Sequence, residues 1–178
     1  MRSEGPGTRT VLVDTNVLIN LMHVGRLDLL GRLPAYEFVV TADVIAEIVR
    51  PDQKRQIEAA PAAGTLRREE LSDPAAVVLF AELRRQMGAG EAATLALACQ
   101  KGWAIASDEK KAFRREALAR LGRGSILTTP GIYVAAIQAG LLSVEEADRD
   151  KANLEAQRFT MSFSSFQELL WRVRARVN

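Results

Sequence analysis

The stretch TVLVDTNVLIN, residues 10–20, places an acid directly after a short apolar run. The run from Thr10 to Val13 predicts a buried β-strand, and Asp14 follows its last residue. A helix is predicted to begin near Asn16, so the strand passes into a helix within a few residues. This transition is typical of an α/β fold, and it raises the question of what the intervening carboxylate does.

The rest of the chain repeats this alternation of short apolar runs and longer amphipathic segments. Further strands are predicted at residues 36–41, 65–71, 103–107 and 125–128. Helices are predicted to begin near Asn16, Asp43, Pro74, Gly90, Glu109 and Pro130, with another opening at Ser143 and a last one within residues 162–173. Residues 50–64, RPDQKRQIEAAPAAG, read as a helix end followed by a loop. The order predicts one α/β domain over residues 1–178, with parallel strands, a core at about 9–142 and C-terminal helices at 143–178.

Composition fits a globular domain and excludes several other classes of protein. Apolar residues make up 48% of the 178 residues and charged residues 26%, which is neither disordered nor fibrous composition. The single cysteine, Cys99, has no partner for an intrachain disulfide. The N-terminal residues lack the apolar core of a signal peptide, and no run approaches the ~18 apolar residues that cross a bilayer. We therefore expect a soluble, cytoplasmic protein without a membrane segment.

A second acid follows another predicted strand. The run WAIAS, residues 103–107, leads directly into Asp108. In an open parallel sheet, ligands bind outside the carboxyl ends of the strands, where the strand order reverses. If the strands that precede Asp14 and Asp108 are neighbours, both carboxylates share one crevice.

Two further acids lie on predicted helices. Glu91 stands four residues before Leu95 and seven before Ala98, so it is predicted to project along the apolar stripe of its helix. Glu47 flanks a predicted buried face composed of Val44, Ile45, Ile48 and Val49. Its position alone is only suggestive.

Each acid also fits a purely structural role. Asp14 and Asp108 are placed to cap the helices that follow them, Glu91 to complement a helix dipole, and Glu47 to be solvated. Taken together, however, carboxylates that converge cannot all stay ionised unless a cation offsets their repulsion. A converged cluster therefore predicts a bound metal, and oxygen ligands favour Mg²⁺ or Mn²⁺ over zinc.

Four motifs in order resemble those of the PIN-domain ribonucleases. They are VLVDTNVLINL, TADVIAEIVR, GAGEAATLALA and IASDEKKAFRREALARLG, and the resemblance extends from about Thr10 to the final helix. The resemblance is to the VapC-like toxin branch of the family and its relatives. Any one of these motifs alone is weak, whereas their ordered combination is fairly specific.

The resemblance implies a single PIN-like three-layer α/β/α domain with a central parallel sheet. By position, it implies that Asp14, Glu47, Glu91 and Asp108 are the catalytic acids and hold one or two Mg²⁺ or Mn²⁺ ions. It further implies that Asn16 and Ser107 orient these acids. Two alternatives stay open for the metal ligands: Asp43 could take the role of Glu47, and Glu109 could also approach the metal. In addition, Glu91 stands where some relatives have aspartate, which leaves its distance from the metal open.

The implied activity is metal-dependent endoribonuclease hydrolysis of RNA, as the toxin half of a toxin-antitoxin pair. Lys110, Lys111, Arg114 and Arg115 follow Asp108 directly, and we expect them to contact the RNA backbone, although basic runs in helices are often only solvated. The resemblance also implies an antitoxin partner and a homodimer. The stripe of the last helix either serves such a contact or closes the domain core; it is formed by Phe163, Phe166, Leu170 and Val173. The alternative function is a noncatalytic PIN-like module that binds RNA or a protein.

Other chemistries lack their characteristic residues. A histidine-centred triad would have to use His23, the only histidine, and no glycine-flanked nucleophile motif accompanies it. There is no Walker loop and no dinucleotide fingerprint. Cys99 lies in an apolar helix and is expected in the core.

Overall fold

A computed structural model of the chain describes residues 7–109 and 111–175, which form one parallel sheet with helices on both faces. The strands are β1 (Arg9–Val13), β2 (Tyr36–Thr41), β3 (Arg67–Glu69), β4 (Ala104–Ala106) and β5 (Ile126–Leu127). The helices are α1 (Thr15–His23), α2 (Leu29–Arg32), α3 (Ala42–Glu47), α4 (Pro51–Ala59), α5 (Pro74–Leu83), α6 (Ala89–Lys101), α7 (Ala112–Leu121), α8 (Thr129–Gln138), α9 (Val144–Ala156) and α10 (Phe166–Ala175). Within this part of the chain, no helix combines the length and apolar character that a bilayer crossing needs.

The sheet has the strand order β3-β2-β1-β4-β5, and every pair is parallel. The chain first adds strands on one side of β1 and then returns to add β4 and β5 on the other side. The order therefore reverses between β1 and β4, which is where open parallel sheets bind ligands. The strands that precede Asp14 and Asp108 are neighbours, with Val13 opposite Ala106, so the condition under which both carboxylates share one crevice is met.

Both faces of the sheet are buried. Val11 and Val13 of β1 point into one apolar cluster, whereas Leu12 points into the other. The first cluster is completed by α1, α8 and α10, and the second by α5, α6 and α7. This explains why β1 reads as a continuous apolar run rather than an alternating one, and it confirms the three-layer α/β/α architecture.

Most predicted elements are confirmed. The strand at 36–41 has the predicted bounds, and the predicted helix starts near Asn16, Asp43, Pro74, Gly90, Pro130 and Ser143 lie within one residue of the observed ones. The strand predicted at 65–71 is shorter, since only Arg67–Glu69 pair with β2 at the sheet edge. The helix predicted near Glu109 begins later, at Ala112, because the backbone N–H groups of Asp108 and Glu109 donate to the side chains of Asn16 and Ser107.

Two local predictions differ from the structure. The loop predicted within residues 50–64 follows Ala59, but the helical part is a separate helix, α4, which accommodates Pro51 in its first turn and buries Gln53 and Ile57, four residues apart, on one face. Val49 is 80% exposed instead of buried, because α3 ends at Glu47 and the backbone of Ile48 is extended.

The apolar stripe near the C-terminus closes the domain's own core. Phe163, Phe166 and Leu170 are buried in the first cluster, and Val173 is half-buried. Phe163 precedes α10 and contacts Phe166 edge-on, with ring centroids 5.0 Å apart. Of the two uses left open by the sequence, the intrachain one accounts for these buried side chains.

Candidate active site

Asp14 lies at the centre of the carboxyl edge of the sheet. Its backbone N–H donates to the carbonyl oxygen of Ala106 at 2.9 Å, which extends the pairing of β1 with β4 up to the acid. Asp14 is 2% exposed, and its carboxylate accepts hydrogen bonds from the N–H of Thr15 at 2.8 Å and the hydroxyl of Ser107 at 3.0 Å. Asp14 therefore caps α1, as its structural alternative requires, and also faces Ser107.

The electrostatic surroundings of Asp14 disfavour its charge. Burial is the main cause that raises its pKa, from 3.8 to about 6, while the hydrogen bonds from Thr15 and Ser107 lower it. The negative charges of Glu91 and Glu47 raise the pKa further. Three of the four predicted acids are thus coupled electrostatically.

Glu47, the last residue of α3, joins three elements. Its Oε2 accepts the hydroxyl of Thr15 at 2.5 Å, and its Oε1 accepts the N–H of Gly90 at 2.7 Å. Among the described residues, Asp43 makes no hydrogen bond to this group, although it lies one turn earlier on the same helix. The geometry favours Glu47 over Asp43 as the acid beside Asp14.

Gly90 permits the close approach of Glu47 to α6. A Cβ atom on Gly90 would lie 2.5 Å from Oε2 and 2.8 Å from the carboxylate carbon of Glu47. The nearby Gly88 has more room, since a Cβ there would lie 3.7 Å from its nearest neighbour, Glu47 Oε1. The sequence analysis did not identify Gly90 as a site residue, because no local pattern shows which side chain packs on a glycine.

Glu91 combines a structural role with its proximity to Asp14. It is half-buried in the first turn of α6, where its Oε2 accepts the N–H of Gly88 at 3.1 Å. This bond satisfies a free donor at the start of the helix. Glu91 therefore has a structural role at the start of α6, and its charge also raises the pKa of Asp14.

Asp108 is held by a different set of donors. Its Oδ1 accepts the N–H of Thr129 at 2.8 Å, and its Oδ2 accepts the Thr129 hydroxyl at 2.6 Å and the side-chain amide of Asn20 at 3.1 Å. Burial is the main cause that raises its pKa, and the charge of Glu109 contributes in the same direction. Asp108 does not cap the helix that follows it in sequence; it binds the first residue of α8 instead.

Asn16 and Ser107 link these two groups of acids. The Ser107 hydroxyl donates to Asp14 and accepts the N–H of Glu109 at 3.2 Å. The Asn16 amide donates to Glu109 Oε1 at 3.1 Å and accepts the N–H of Asp108 at 3.3 Å. Both residues that were predicted to orient the acids contact them.

Three polar contacts to the acids were missed in the sequence. Asn20 lies one helical turn after Asn16 on α1, so its position on the same face was a usable signal. Thr15 was quoted within the first motif without a role. Thr129 had no local signal, because it comes from the start of α8, 21 positions after Asp108.

Five carboxylates lie in this region, namely those of Asp14, Glu47, Glu91, Asp108 and Glu109. Within residues 7–109 and 111–175, none of them forms an ion pair. In the same part of the chain, no three His, Cys, Asp or Glu side chains are arranged to hold one metal ion. Glu47 and Asp108 instead face hydrogen-bond donors from the protein. The oxygen ligands that these five side chains offer are those that Mg²⁺ or Mn²⁺ prefers, and no described basic side chain neutralises them. To bind one ion together, the side chains would have to turn toward a common point.

The basic residues near Asp108 are divided between two places. Arg114 lines a cavity of about 260 Å³ together with Asp108 and Glu109. Lys111 and Arg115 are exposed, and Lys110 lies outside the described residues. Arg120 and Arg123, further along the same run, line a separate cavity of about 340 Å³ near the start of β1, at the opposite edge of the sheet.

His23 and Cys99 have no described place among the acids. His23 is exposed at the end of α1. Cys99 is half-buried against the second apolar cluster, where burial raises the pKa of its thiol. A raised thiol pKa disfavours the thiolate, which is the nucleophilic form.

Comparison with known families agrees with the geometry. A family model described as a PIN domain matches residues 10–174, which is most of the chain. No curated protein matches the chain significantly.

Proposed function

We propose that this chain, because it belongs to the PIN-domain family, is a metal-dependent endoribonuclease that hydrolyses RNA phosphodiester bonds. PIN domains are generally nucleases, and the fold is of this nuclease type. One observation carries the proposal to this chain: five carboxylates gather where the strand order reverses, and none has an ion-pair partner among the described residues. Such a group needs an external cation to be fully ionised.

The residues proposed to hold one or two Mg²⁺ or Mn²⁺ ions are Asp14, Glu47, Glu91 and Asp108. A divalent ion bound there would activate a water molecule and stabilise the negative charge that develops on the phosphate. The chain's own part is to orient the ligands: Ser107 and Thr15 fix the Asp14 carboxylate, and Asn20 and Thr129 fix that of Asp108. No protein nucleophile is required.

Substrate binding is proposed to use the basic residues after Asp108. Arg114 is supported by its position in the cavity beside Asp108 and Glu109. Lys111 and Arg115 are proposed to contact phosphates further along the RNA, together with Lys110. Because such contacts release counterions, RNA binding should weaken as the salt concentration rises.

The biological role proposed for this nuclease is the toxin of a toxin-antitoxin pair. It rests on the resemblance of the four motifs to the VapC-like branch of the family. A small antitoxin and a homodimer are proposed as its protein partners. Expression of the chain should then arrest growth, and coexpression of a small neighbouring DNA-binding protein should restore it, whereas arrest without such a neighbour would favour a solitary nuclease.

The second candidate is a noncatalytic PIN-like module that binds RNA or a protein. It is favoured by one observation, namely that no three described side chains of the metal-binding types are arranged around one point. Such a module would bind its partner equally well in the presence of a metal chelator. A nuclease would lose cleavage under the same conditions.

RNA cleavage by purified variants tests the main proposal. The wild type should cleave a labelled RNA only with Mn²⁺ or Mg²⁺, and Asp14→Asn and Asp108→Asn should each abolish cleavage. The matched control is Asp28→Asn, which alters an exposed acid and should leave cleavage unchanged. Equal cleavage by Asp14→Asn and wild type would show that the activity comes from a contaminant or from another site.

A further inference from the structure

The cavity of about 260 Å³ beside the acids has two unlike walls. One is charged and belongs to the carboxyl edge of the sheet, with Asp108, Glu109 and Arg114. The other is mainly apolar and consists of residues 159–163, in which Phe159, Met161 and Phe163 alternate with Thr160 and Ser162. A site for phosphate alone would have no use for the second wall.

The segment between α9 and α10 forms the apolar wall and is anchored at both ends. At its start, Arg158 adopts a left-handed conformation with φ of 67°, and the N–H of Phe159 donates to the carbonyl oxygen of Leu154 at 3.0 Å. At its end, Asp148 accepts the hydroxyl of Ser165 at 2.6 Å and the N–H of Phe166 at 2.8 Å. These anchors hold the wall without covering it.

The exposure of the wall differs along its length. Phe163 is buried against Phe166 and belongs to the core. Phe159 and Met161 are only half-buried, so each leaves part of its side chain accessible. An aromatic ring and a polarisable thioether are suited to contact the flat face of an aromatic ligand.

The charged wall can recognise the hydrogen-bonding groups along the edge of such a ligand. Glu109 accepts one described side-chain hydrogen bond, from Asn16, and so retains acceptor capacity, whereas three donors already occupy the oxygens of Asp108. An exocyclic amino group of a base can donate to a carboxylate in this way. The carbonyl oxygens that flank the single ring N–H of uracil would instead be repelled by it.

We infer that this cavity is a nucleobase pocket that prefers bases with an exocyclic amino group, namely cytosine, adenine and guanine, over uracil. Phe159 and Met161 contact the face of the base, and Glu109 accepts its amino group. The inference rests on the proposed function in one respect: it assigns the pocket to the nucleotide next to the scissile phosphate, which Arg114 would contact. Binding of the base itself requires neither metal nor hydrolysis.

The methionines of the chain supply a direct probe. The four are Met1, Met22, Met87 and Met161; Met22 is in the core and Met87 packs against the second cluster. In protein labelled with ¹³C at the methionine methyl groups, cytidine and adenosine should shift the Met161 signal saturably and leave those of Met22 and Met87 in place. Uridine should bind several-fold more weakly, and ribose should cause no shift.

Variants of the wall test the assignment. Phe159→Ala should weaken cytidine binding by roughly five- to hundredfold, the range found for loss of one base–aromatic stack. Phe159→Tyr, which keeps the ring, should restore it. The matched control is Phe80→Ala, which truncates a half-buried phenylalanine in the second cluster and should leave cytidine binding unchanged. An unmoved Met161 signal, equal shifts with ribose, or unaltered binding by Phe159→Ala would overturn the inference.

The same variants separate this inference from the proposed function. If wild type cleaves RNA and Phe159→Ala cleaves it with the same base preference, the pocket assignment is wrong and the nuclease stands. If nucleosides shift Met161 but no RNA is cleaved with Mn²⁺, the base pocket stands and its assignment beside a scissile phosphate is wrong.

Discussion

At the scale of single residues, the buried negative charge of Asp14 lowers the stability of the folded protein at neutral pH. The carboxylate is buried and lies near two other acids, which together raise its pKa to about 6. A folded-state pKa above the ordinary value of 3.8 means that the folded protein binds the proton more tightly than the unfolded chain. The contribution of this group to the free energy of unfolding is therefore fully present below a pH of about 4, and it is lost as the pH rises through about 6.

Asp14→Asn should accordingly stabilise the protein at neutral pH. The amide keeps an acceptor for Thr15 and removes the buried charge, so the free energy of unfolding at pH 7.5 should rise by up to about 3 kcal/mol. The gain should shrink below pH of about 4, where the wild-type acid is protonated. Urea denaturation of both proteins at the two pH values measures this difference. A less stable Asp14→Asn at pH 7.5 would show that the charge of Asp14 is compensated in the fold.

Gly90→Ala should damage the site without damaging the helix. Its Cβ would overlap the Glu47 carboxylate, which is exposed enough to swing away, while alanine favours the helical backbone. We expect roughly tenfold weaker Mn²⁺ binding and slower RNA cleavage, with stability maintained. Gly88→Ala is the matched control, because its Cβ meets only ordinary contacts and should leave both properties near wild type. Unchanged metal binding and cleavage by Gly90→Ala would mean that the position of Glu47 is unimportant.

The sequence predicted some site residues better than others, for a physical reason. Asp14 and Asp108 follow apolar strands, and parallel strands bring their carboxyl ends to one edge, so the local pattern predicted this edge for both acids, whereas the pairing of β1 with β4 came from the structure. The placement of Glu47 beside Asp14 depends on how α3 packs against α1 and α6, a tertiary contact without a periodic signal. Thr129 is a similar case, since it reaches Asp108 from a helix distant in sequence.

At the scale of elements, buried strands and amphipathic helices were the most predictable. β2 matches its predicted bounds because Tyr36–Thr41 is apolar enough to be recognised and its end is marked by the cap of α3. α4 was not predicted as a separate helix; it begins at Pro51, and proline is well tolerated in the first turn of a helix. The late start of α7 depends on hydrogen bonds to Asn16 and Ser107, which no local pattern reveals.

The end of α9 carries a conformation that favours glycine. Arg158 has φ of 67° just after the helix, where an L side chain adds roughly 1 kcal/mol of strain. Arg158→Gly should therefore raise the free energy of unfolding by about 1 kcal/mol or slightly less. Arg149→Gly, at an exposed position inside α9, should lower it by about the same amount, because there glycine weakens a regular helix. Chemical denaturation measures both changes, and a destabilised Arg158→Gly would assign the arginine side chain a role of its own.

At the scale of the whole molecule, Asp150 connects the C-terminal helices to the rest of the domain. It lies on α9 and accepts hydrogen bonds from Arg26 at 2.7 Å and from the hydroxyl of Tyr133, on α8, at 3.0 Å. Burial and the charge of Asp150 raise the pKa of Tyr133, so the phenol stays protonated as a donor. This connection ties α9 to Arg26 and to α8, so we expect α9 to unfold together with the rest of the domain.

Asp150→Ala should therefore destabilise the whole chain rather than one helix. The free energy of unfolding should fall by about 2–3 kcal/mol, because the buried Tyr133 hydroxyl loses its partner and the half-buried Arg26 keeps only its 3.8 Å contact with Glu146. Asp28→Ala breaks an exposed pair with Arg32 and should change stability by less than about 1 kcal/mol. Thermal unfolding followed by far-ultraviolet circular dichroism should show one transition for each variant. Two separated transitions for Asp150→Ala would mean that the C-terminal helices unfold independently.

The central claim is that Asp14 and its neighbouring acids bind the divalent ion of a nuclease. Calorimetric titration of the purified protein with Mn²⁺, beside Asp14→Asn, tests it most directly. We predict saturable binding by the wild type and its loss in Asp14→Asn, with both proteins folded. Absence of Mn²⁺ binding by the folded wild type would contradict the claim and favour a PIN-like module that binds its partner without cutting.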